Sequence, residues 1–199
     1  MALVYHLKEE FASYELMAGI DEAGRGPWAG PVVAAAVIFK KGYYNDAIDD
    51  SKKLTAHKRD QLFDIIVKDS LSIGIGIVSA EVIDKINILQ ATKLAMRKAI
   101  DNLSIKPAFL LIDALKLDGV ALPQLGLIHG DALALPIAAA SIIAKVTRDR
   151  IMVKIHHEHP IYRFDLHKGY GTKLHHNMIL THGAIKGIHR MSFRPIKNL

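Results

Sequence analysis

Three apolar stretches of the chain each run into an acidic residue: 16–20 into Asp21 and Glu22, 109–112 into Asp113, and 127–130 into Asp131. Each has the length and apolarity of a short buried strand. Laid side by side in one sheet, such strands bring their carboxylates together. Clustered carboxylates repel and do not all stay ionised near neutral pH. A divalent cation resolves that conflict, and Mg²⁺ and Mn²⁺ take oxygen ligands. The pattern therefore points to a carboxylate-held metal site. Taken singly, Asp113 and Asp131 each read better as a helix cap or a surface turn; the site reading rests on their convergence with Asp21.

The densest motif is Asp21-Glu22-Ala23-Gly24-Arg25-Gly26-Pro27. Adjacent strand residues face opposite sides of a sheet, so Glu22 joins Asp21 only if the chain is already turning there. Gly24 and Gly26 let backbone N–H groups approach a phosphate or sugar, and Arg25 adds a planar donor fork. The competing reading is a tight turn in which Arg25 neutralises its acidic neighbours. Gly24-x-Gly26-x-x-Ala29 also matches a relaxed dinucleotide-binding fingerprint, with Asp49 and Asp50 about 20 residues on. That fingerprint needs a helix to open at the second glycine, whereas Pro27, Gly30 and Pro31 lead into a strand-like run.

Two further segments carry polar chemistry. Asp50-Ser51-Lys52-Lys53-Leu54 sets two ammonium groups before a helix, suited to phosphate contact or to a solvated loop. His167-Lys168-Gly169-Tyr170-Gly171-Thr172 places an aromatic ring between glycines, able to stack on a sugar or base or to anchor the loop on the core. His156-His157-Glu158-His159 suggests zinc only weakly, because adjacent histidines at a helix end diverge.

The elements that must hold these residues are legible from periodicity. A strand over 32–39 follows that of Asp21. Thr55 caps a helix through 69, 72–78 alternates as a strand, and 79–100 is a helix interrupted near Asn87. Pro107 precedes the Asp113 strand, a long helix spans about 136–157, and Thr172 caps a helix that stops at Gly183. Early strands joined without helices pair antiparallel; later, helix-separated strands pair parallel. The expected fold class is α/β, a mixed sheet flanked by helices.

At 199 residues, half of them hydrophobic, the chain suits one domain. It has no cysteine, which excludes disulfides and thiolate metal sites. Residues 1–11 lack the apolar run of a signal peptide, and no stretch has the ~20 apolar residues of a membrane helix. The net charge of +6 is uneven: residues 145–199 hold 11 Lys and Arg against three acidic residues. A basic region beside an acidic core suggests a polyanion held during chemistry.

With these residues in place, the chain resembles the type 2 ribonucleases H in their bacterial form, ribonuclease HII. The likeness runs through Ala18-Gly19-Ile20-Asp21-Glu22-Ala23-Gly24-Arg25-Gly26-Pro27, Asp50-Ser51-Lys52-Lys53-Leu54, Asn87-Ile88-Leu89-Gln90-Ala91-Thr92, Leu111-Ile112-Asp113 and Gly130-Asp131. It continues through residues 139–149 and 167–172 to His189-Arg190-Met191-Ser192-Phe193. The sister type, ribonuclease HIII, is expected to carry lysine where this chain has Arg25. The resemblance implies a ribonuclease H-like fold: a five-stranded mixed sheet, flanking helices and a helical C-terminal region, with a basic substrate-binding extension from about residue 160. It implies an endonuclease that cuts the RNA strand of RNA–DNA hybrids and cuts 5′ to ribonucleotides in duplex DNA, leaving 5′-phosphate and 3′-hydroxyl ends. Carried over by position, catalytic metal ligands fall on Asp21, Glu22, Asp113 and Asp131, holding two Mg²⁺ or Mn²⁺ ions about 4 Å apart. Recognition of the 2′-OH falls on Gly24, Arg25 and Gly26, and junction stacking falls on Tyr170. Lys52, Lys53 and the basic residues after Lys145 are expected to contact phosphates. Ala132 departs from the serine common in the family, without touching the ligands. The implied protein is a cytoplasmic monomer acting on nucleic acid and not on membranes. A non-catalytic hybrid-binding protein and a junction resolvase are the alternatives, separable by the carboxylate set and by the need for a 2′-OH.

Overall fold

A computed structural model describes residues 14–198. The expectation for the first eleven residues lies outside the described residues. Five strands form one mixed sheet: β1 Met17–Ala23, β2 Val32–Ile38, β3 Ser72–Val78, β4 Phe109–Asp113 and β5 Gln124–Leu127. The strand order is β3-β2-β1-β4-β5, so β1, which carries Asp21, is central. β1 pairs antiparallel with β2, and β2 with β3; β1 pairs parallel with β4, and β4 with β5. The expectation from the sequence holds for β1 and β2, which a short loop joins, but β2 and β3 pair antiparallel across the helix Ala56–Asp69 and β4 and β5 pair parallel with no helix between them, so tertiary packing and not connection type sets the rest of the split.

Helices cover both faces. On one lies α2 (Ala80–Asp101), on the other α1 (Ala56–Asp69) and α4 (Leu135–Glu158). Thr55 caps α1 by accepting the Lys58 N–H at 3.2 Å. α2 is broken at Asn87 (φ 65°), whose Oδ1 accepts the Gln90 N–H and restarts the helix. Every residue of β2 has zero exposure, which its Val-Val-Ala-Ala-Ala-Val-Ile composition allows because small side chains admit helices on both sides. β3 alternates with an inverted emphasis. Its glycines lie under α2, where a Cβ on Gly74 or Gly76 would meet the carbonyl oxygens of Ala99 or Ala95 at 1.9 Å, while Ile77 is exposed. α4 is buried along its first ten residues, Ile137, Ile142 and Ile143 among them, each contributing about 1.5–3 kcal/mol by burial.

One expected element differs. The stretch 127–130 is not the strand that ends at Asp131. β5 ends at Leu127, and His129 turns left-handed (φ 58°) into a short helix, α3, Gly130–Leu133. Asp131 therefore rides on the first turn of α3.

Beyond α4 the chain forms a 3₁₀ turn, Pro160–Tyr162, and three helices: α5 Phe164–His167, α6 Lys173–His182 and α7 Arg194–Lys197. These pack a second small core on Met152 and on the Trp28–Ala29 segment. Among the described residues, no helix is long and apolar enough to cross a membrane.

Candidate active site

Parallel pairing of Ile20 with Ile112 brings the next residues, Asp21 and Asp113, level at the carboxyl ends of adjacent strands. Asp21 is buried and accepts the Glu22 N–H at 2.6 Å. Burial, and then the charges of Glu22 and Asp113, push its pKa well above the usual carboxylate range; Asp131 adds to the effect. Burial likewise raises Glu22, against the opposing pull of Arg25 at 3.3 Å, and raises Asp113.

Glu22 reaches the site although the chain has not begun to turn. β1 stays paired with β2 through Ala23, while its ladder with β4 ends at Ile20. At that open edge Asp21 and Glu22 line one cavity of 410 Å³. Asp113 accepts the Gly130 N–H at 2.9 Å and so satisfies the first turn of α3, which makes the cap reading partly correct for Asp113. Asp131 is buried and accepts from Lys52 Nζ at 3.0 Å. Among the described residues, no three acidic or histidine side chains are already gathered around a single point as ligands of one ion.

Of the paired lysines, only Lys52 enters the site. Lys53 turns to Asp49 at 3.1 Å and lines no part of this cavity. Arg59 donates to the carbonyls of Ser51 and Leu54, holding the turn that presents Lys52, and itself lines the cavity with Lys145.

The loop after β1 leads into β2, so no helix opens at Gly26. Gly24 has φ +97° and lies against Arg148: a Cβ there would stand 2.1 Å from Nε. Two buried guanidinium groups tie down this loop. Arg190 donates to the carbonyls of Gly24 (2.6 Å), Arg25 (2.9 Å), Gly30 (3.0 Å) and Pro31 (3.2 Å). Arg148 donates to those of Ala29 and Pro31. In a trans peptide the N–H points opposite the C=O, so holding the Gly24 and Arg25 carbonyls inward turns the N–H groups of Arg25 and Gly26 away from Arg190. Both guanidinium groups have zero exposure and carbonyl rather than carboxylate partners. Burial and the neighbouring Arg148 lower the Arg190 pKa to about 9.

For Arg148 and Arg190 this corrects the expectation that the basic residues after Lys145 track phosphates: both are interior struts. Composition counts charges without locating them; the one hint otherwise was that Arg148 and Arg190 each stand inside a segment already singled out.

Tyr170 is 43 % exposed, which favours a presented ring over a core anchor. Lys145 and Arg148 each lie 5.7 Å from its centroid. The flanking glycines dock its loop onto the other one. Trp28 N–H donates to Gly169 O at 2.8 Å, and a Cβ on Gly171 would collide with the Trp28 ring at 2.2 Å. Tyr170 also borders a second cavity, 790 Å³, lined by Arg59, Lys145, Arg150, Lys154 and Lys168. A carboxylate pocket thus opens into a basic groove at this ring.

Known proteins match the chain along nearly its whole length. The family model for ribonuclease HII matches residues 18–196. A ribonuclease HII of Bacillus cereus is 52% identical, over 97% of this chain and 74% of its own length. That of Acholeplasma laidlawii is also 52% identical, over 94% of this chain and 91% of its own. The solved ribonuclease H2 of Pyrococcus horikoshii superposes with TM-score 0.75 at 26% identity, covering 92% of this chain and 96% of that one. Carboxylates converging at the central strand and a match over nearly the whole chain lead to one conclusion: the chain belongs to the ribonuclease HII family and is an endoribonuclease.

Proposed function

We propose that the protein hydrolyses the RNA strand of RNA–DNA hybrids and cuts 5′ to single ribonucleotides in duplex DNA. The observation that carries the proposal is the buried Asp21 carboxylate, level with Asp113 and bordered by Glu22 and Asp131, beside a glycine loop whose carbonyls are tied back.

The residues fit a divalent cation. The donors are all carboxylate oxygens, as Mg²⁺ and Mn²⁺ prefer, and Glu22 Oε2 is buried without a hydrogen-bond partner. Asp21, Glu22, Asp113 and Asp131 would hold two such ions. When bound, they lower the pKa of water and stabilise developing oxyanion charge. In the reaction a water oxygen bonds to phosphorus, the P–O3′ bond breaks, and the 3′ oxygen takes up a proton, leaving a 5′-phosphate and a 3′-hydroxyl. Arg25 and Gly26 N–H groups read the 2′-OH that separates RNA from DNA. Tyr170 stacks at the junction, and Lys52, Arg59 and Lys145 hold phosphates at the pocket. The basic groove carries the continuing duplex.

The test is cleavage of matched duplexes holding one, four or many ribonucleotides, or a single 2′-deoxy-2′-fluoro residue, with Mg²⁺ and with Mn²⁺. Cutting of the ribonucleotide substrates but not of the fluoro substrate is expected. Equal cutting of all-DNA duplexes would refute the reading.

A further inference from the structure

His189 and Arg190 are consecutive, and their side chains leave in two directions. Arg190 braces the loop that carries Gly24, Arg25 and Gly26. His189 starts a chain of hydrogen bonds that ends on the Tyr170 loop. The Ile185 N–H donates to His189 Nδ1 at 2.8 Å. Nδ1 is then the acceptor, so a neutral His189 carries its proton on Nε2. That Nε2 lies 3.1 Å from His175 Nε2, which must accept, leaving the His175 proton on Nδ1. His175 Nδ1–H donates to the Tyr170 carbonyl at 2.9 Å. Each bond dictates the next, so the relay runs one way, and only with both rings neutral.

Two neighbours reinforce it. His167 stacks on His175 with centroids 4.3 Å apart and accepts the Gly169 N–H at 3.1 Å, so the backbone is held on both sides of the Tyr170 amide. The segment itself is fastened to α2, since Asp84 accepts the N–H groups of Met191 and Ser192 at 2.9 Å. His175, His189 and Arg190 all have zero exposure. Burial lowers both of these histidines to about 4, in keeping with neutral rings.

We propose that His189-Arg190 is a positioning element that sets the spacing between the Gly24–Gly26 loop and the Tyr170 ring, and through it the preference for ribonucleotide–DNA junctions. The inference rests on the junction role given above to Tyr170. Neither residue touches the reacting atoms.

The test compares His189→Phe, which keeps a ring but breaks the relay, with His189→Gln, whose side-chain amide can still donate to His175. Steady-state kinetics are measured on a duplex with one ribonucleotide and on a continuous RNA–DNA hybrid. For His189→Phe, the single-ribonucleotide to hybrid ratio of kcat/KM falls at least tenfold, mainly through KM, while hybrid cutting stays within about threefold. His189→Gln recovers most of the ratio. In a Tyr170→Ala background, His189→Phe changes the ratio less than twofold, because both act through one ring. Nitrogen-15 NMR of the native chain finds His189 as the Nε2–H tautomer and His175 as the Nδ1–H tautomer, a result that needs no variant to fold. Reversed tautomers overturn the proposal. So does a ratio unchanged by His189→Phe when Tyr170→Ala lowers it, or a loss that persists undiminished without Tyr170. If Tyr170→Ala itself leaves the ratio intact, the stacking role falls and this inference with it.

Discussion

Two glycines, two positions apart, should respond in opposite ways to the same added methyl group. At Gly26 a Cβ would meet nothing within 4 Å and φ lies outside the left-handed range. Alanine there narrows the unfolded ensemble, worth about 0.4–1 kcal/mol of added stability. For a chain of this size that leaves the melting temperature unchanged or raises it by about 1–4 °C. In the function proposed above, the open space is where a ribose approaches the Arg25 and Gly26 N–H groups. A blocked donor costs about 1–3 kcal/mol, so kcat/KM on a single-ribonucleotide duplex should fall about 5- to 150-fold. At Gly24 the methyl is strained by φ +97° and sits 2.1 Å from Arg148 Nε. Left-handed backbone costs about 1–2 kcal/mol. Displacing a buried guanidinium with two carbonyl bonds adds about 1.5–3 kcal/mol per bond. Gly24→Ala should therefore melt about 10 °C or more below the parent. Calorimetry and cleavage on both variants decide the matter. Full cutting by Gly26→Ala would refute the close approach of substrate, and a Gly24→Ala melting point within a degree or two of the parent would refute the Arg148 brace.

Three further outcomes follow from the charges. Asp21→Asn removes a buried carboxylate that its neighbours repel, so it should abolish divalent-dependent cutting, retain duplex binding, and raise the melting temperature in chelator; retained cutting would remove Asp21 from the metal set. His175 and His189 fold with pKa values near 4, below their unfolded value, so their contribution is complete above about pH 6.5 and is lost as pH falls toward 4, on the order of 3 kcal/mol for each ring taken alone. The raised carboxylates slope the other way, lending stability at low pH that disappears as pH rises through their folded values, so urea titrations at pH 7, 5.5 and 4.5 should compare the parent with His175→Phe, whose acid-side slope should flatten. Lys154→Ala, at an exposed lysine that lines the groove, should reduce the slope of log binding constant against log salt by about 0.9 per lost phosphate contact, with the melting temperature unchanged; an unaltered slope would place the duplex elsewhere.

Local pattern carried much of the fold. Two-residue and helical periods, Thr55 and Thr172 as caps, the break at Asn87 and the order of strands and helices are each written within a few adjacent residues, and the structure follows them. That the sheet is mixed was legible, but which strands pair parallel, and the central place of the strand that carries Asp21, were decided by packing. Asp21 and Asp113 were legible as partners because a strand running into an acid is a local signal and parallel register does the rest.

What escaped was decided by contacts between distant segments. Asp131 sits on a helix turn instead of a strand end, because His129 turns left-handed, an uncommon conformation for a residue with a side chain. Lys52 and Lys53 are neighbours of identical chemistry, yet only one faces the acids. Arg148 and Arg190 look like surface charge in a basic segment, and the histidines around them look the same. Their burial is possible only because folding delivers carbonyl oxygens from Gly24 to Pro31, more than a hundred residues earlier in the chain, to satisfy them. Residue order alone specified which chemistry the chain could carry and where most of its strands would end. Which charges face substrate and which hold the loops was settled in the folded chain, since burying a charged or polar side chain depends on partners that become neighbours only there.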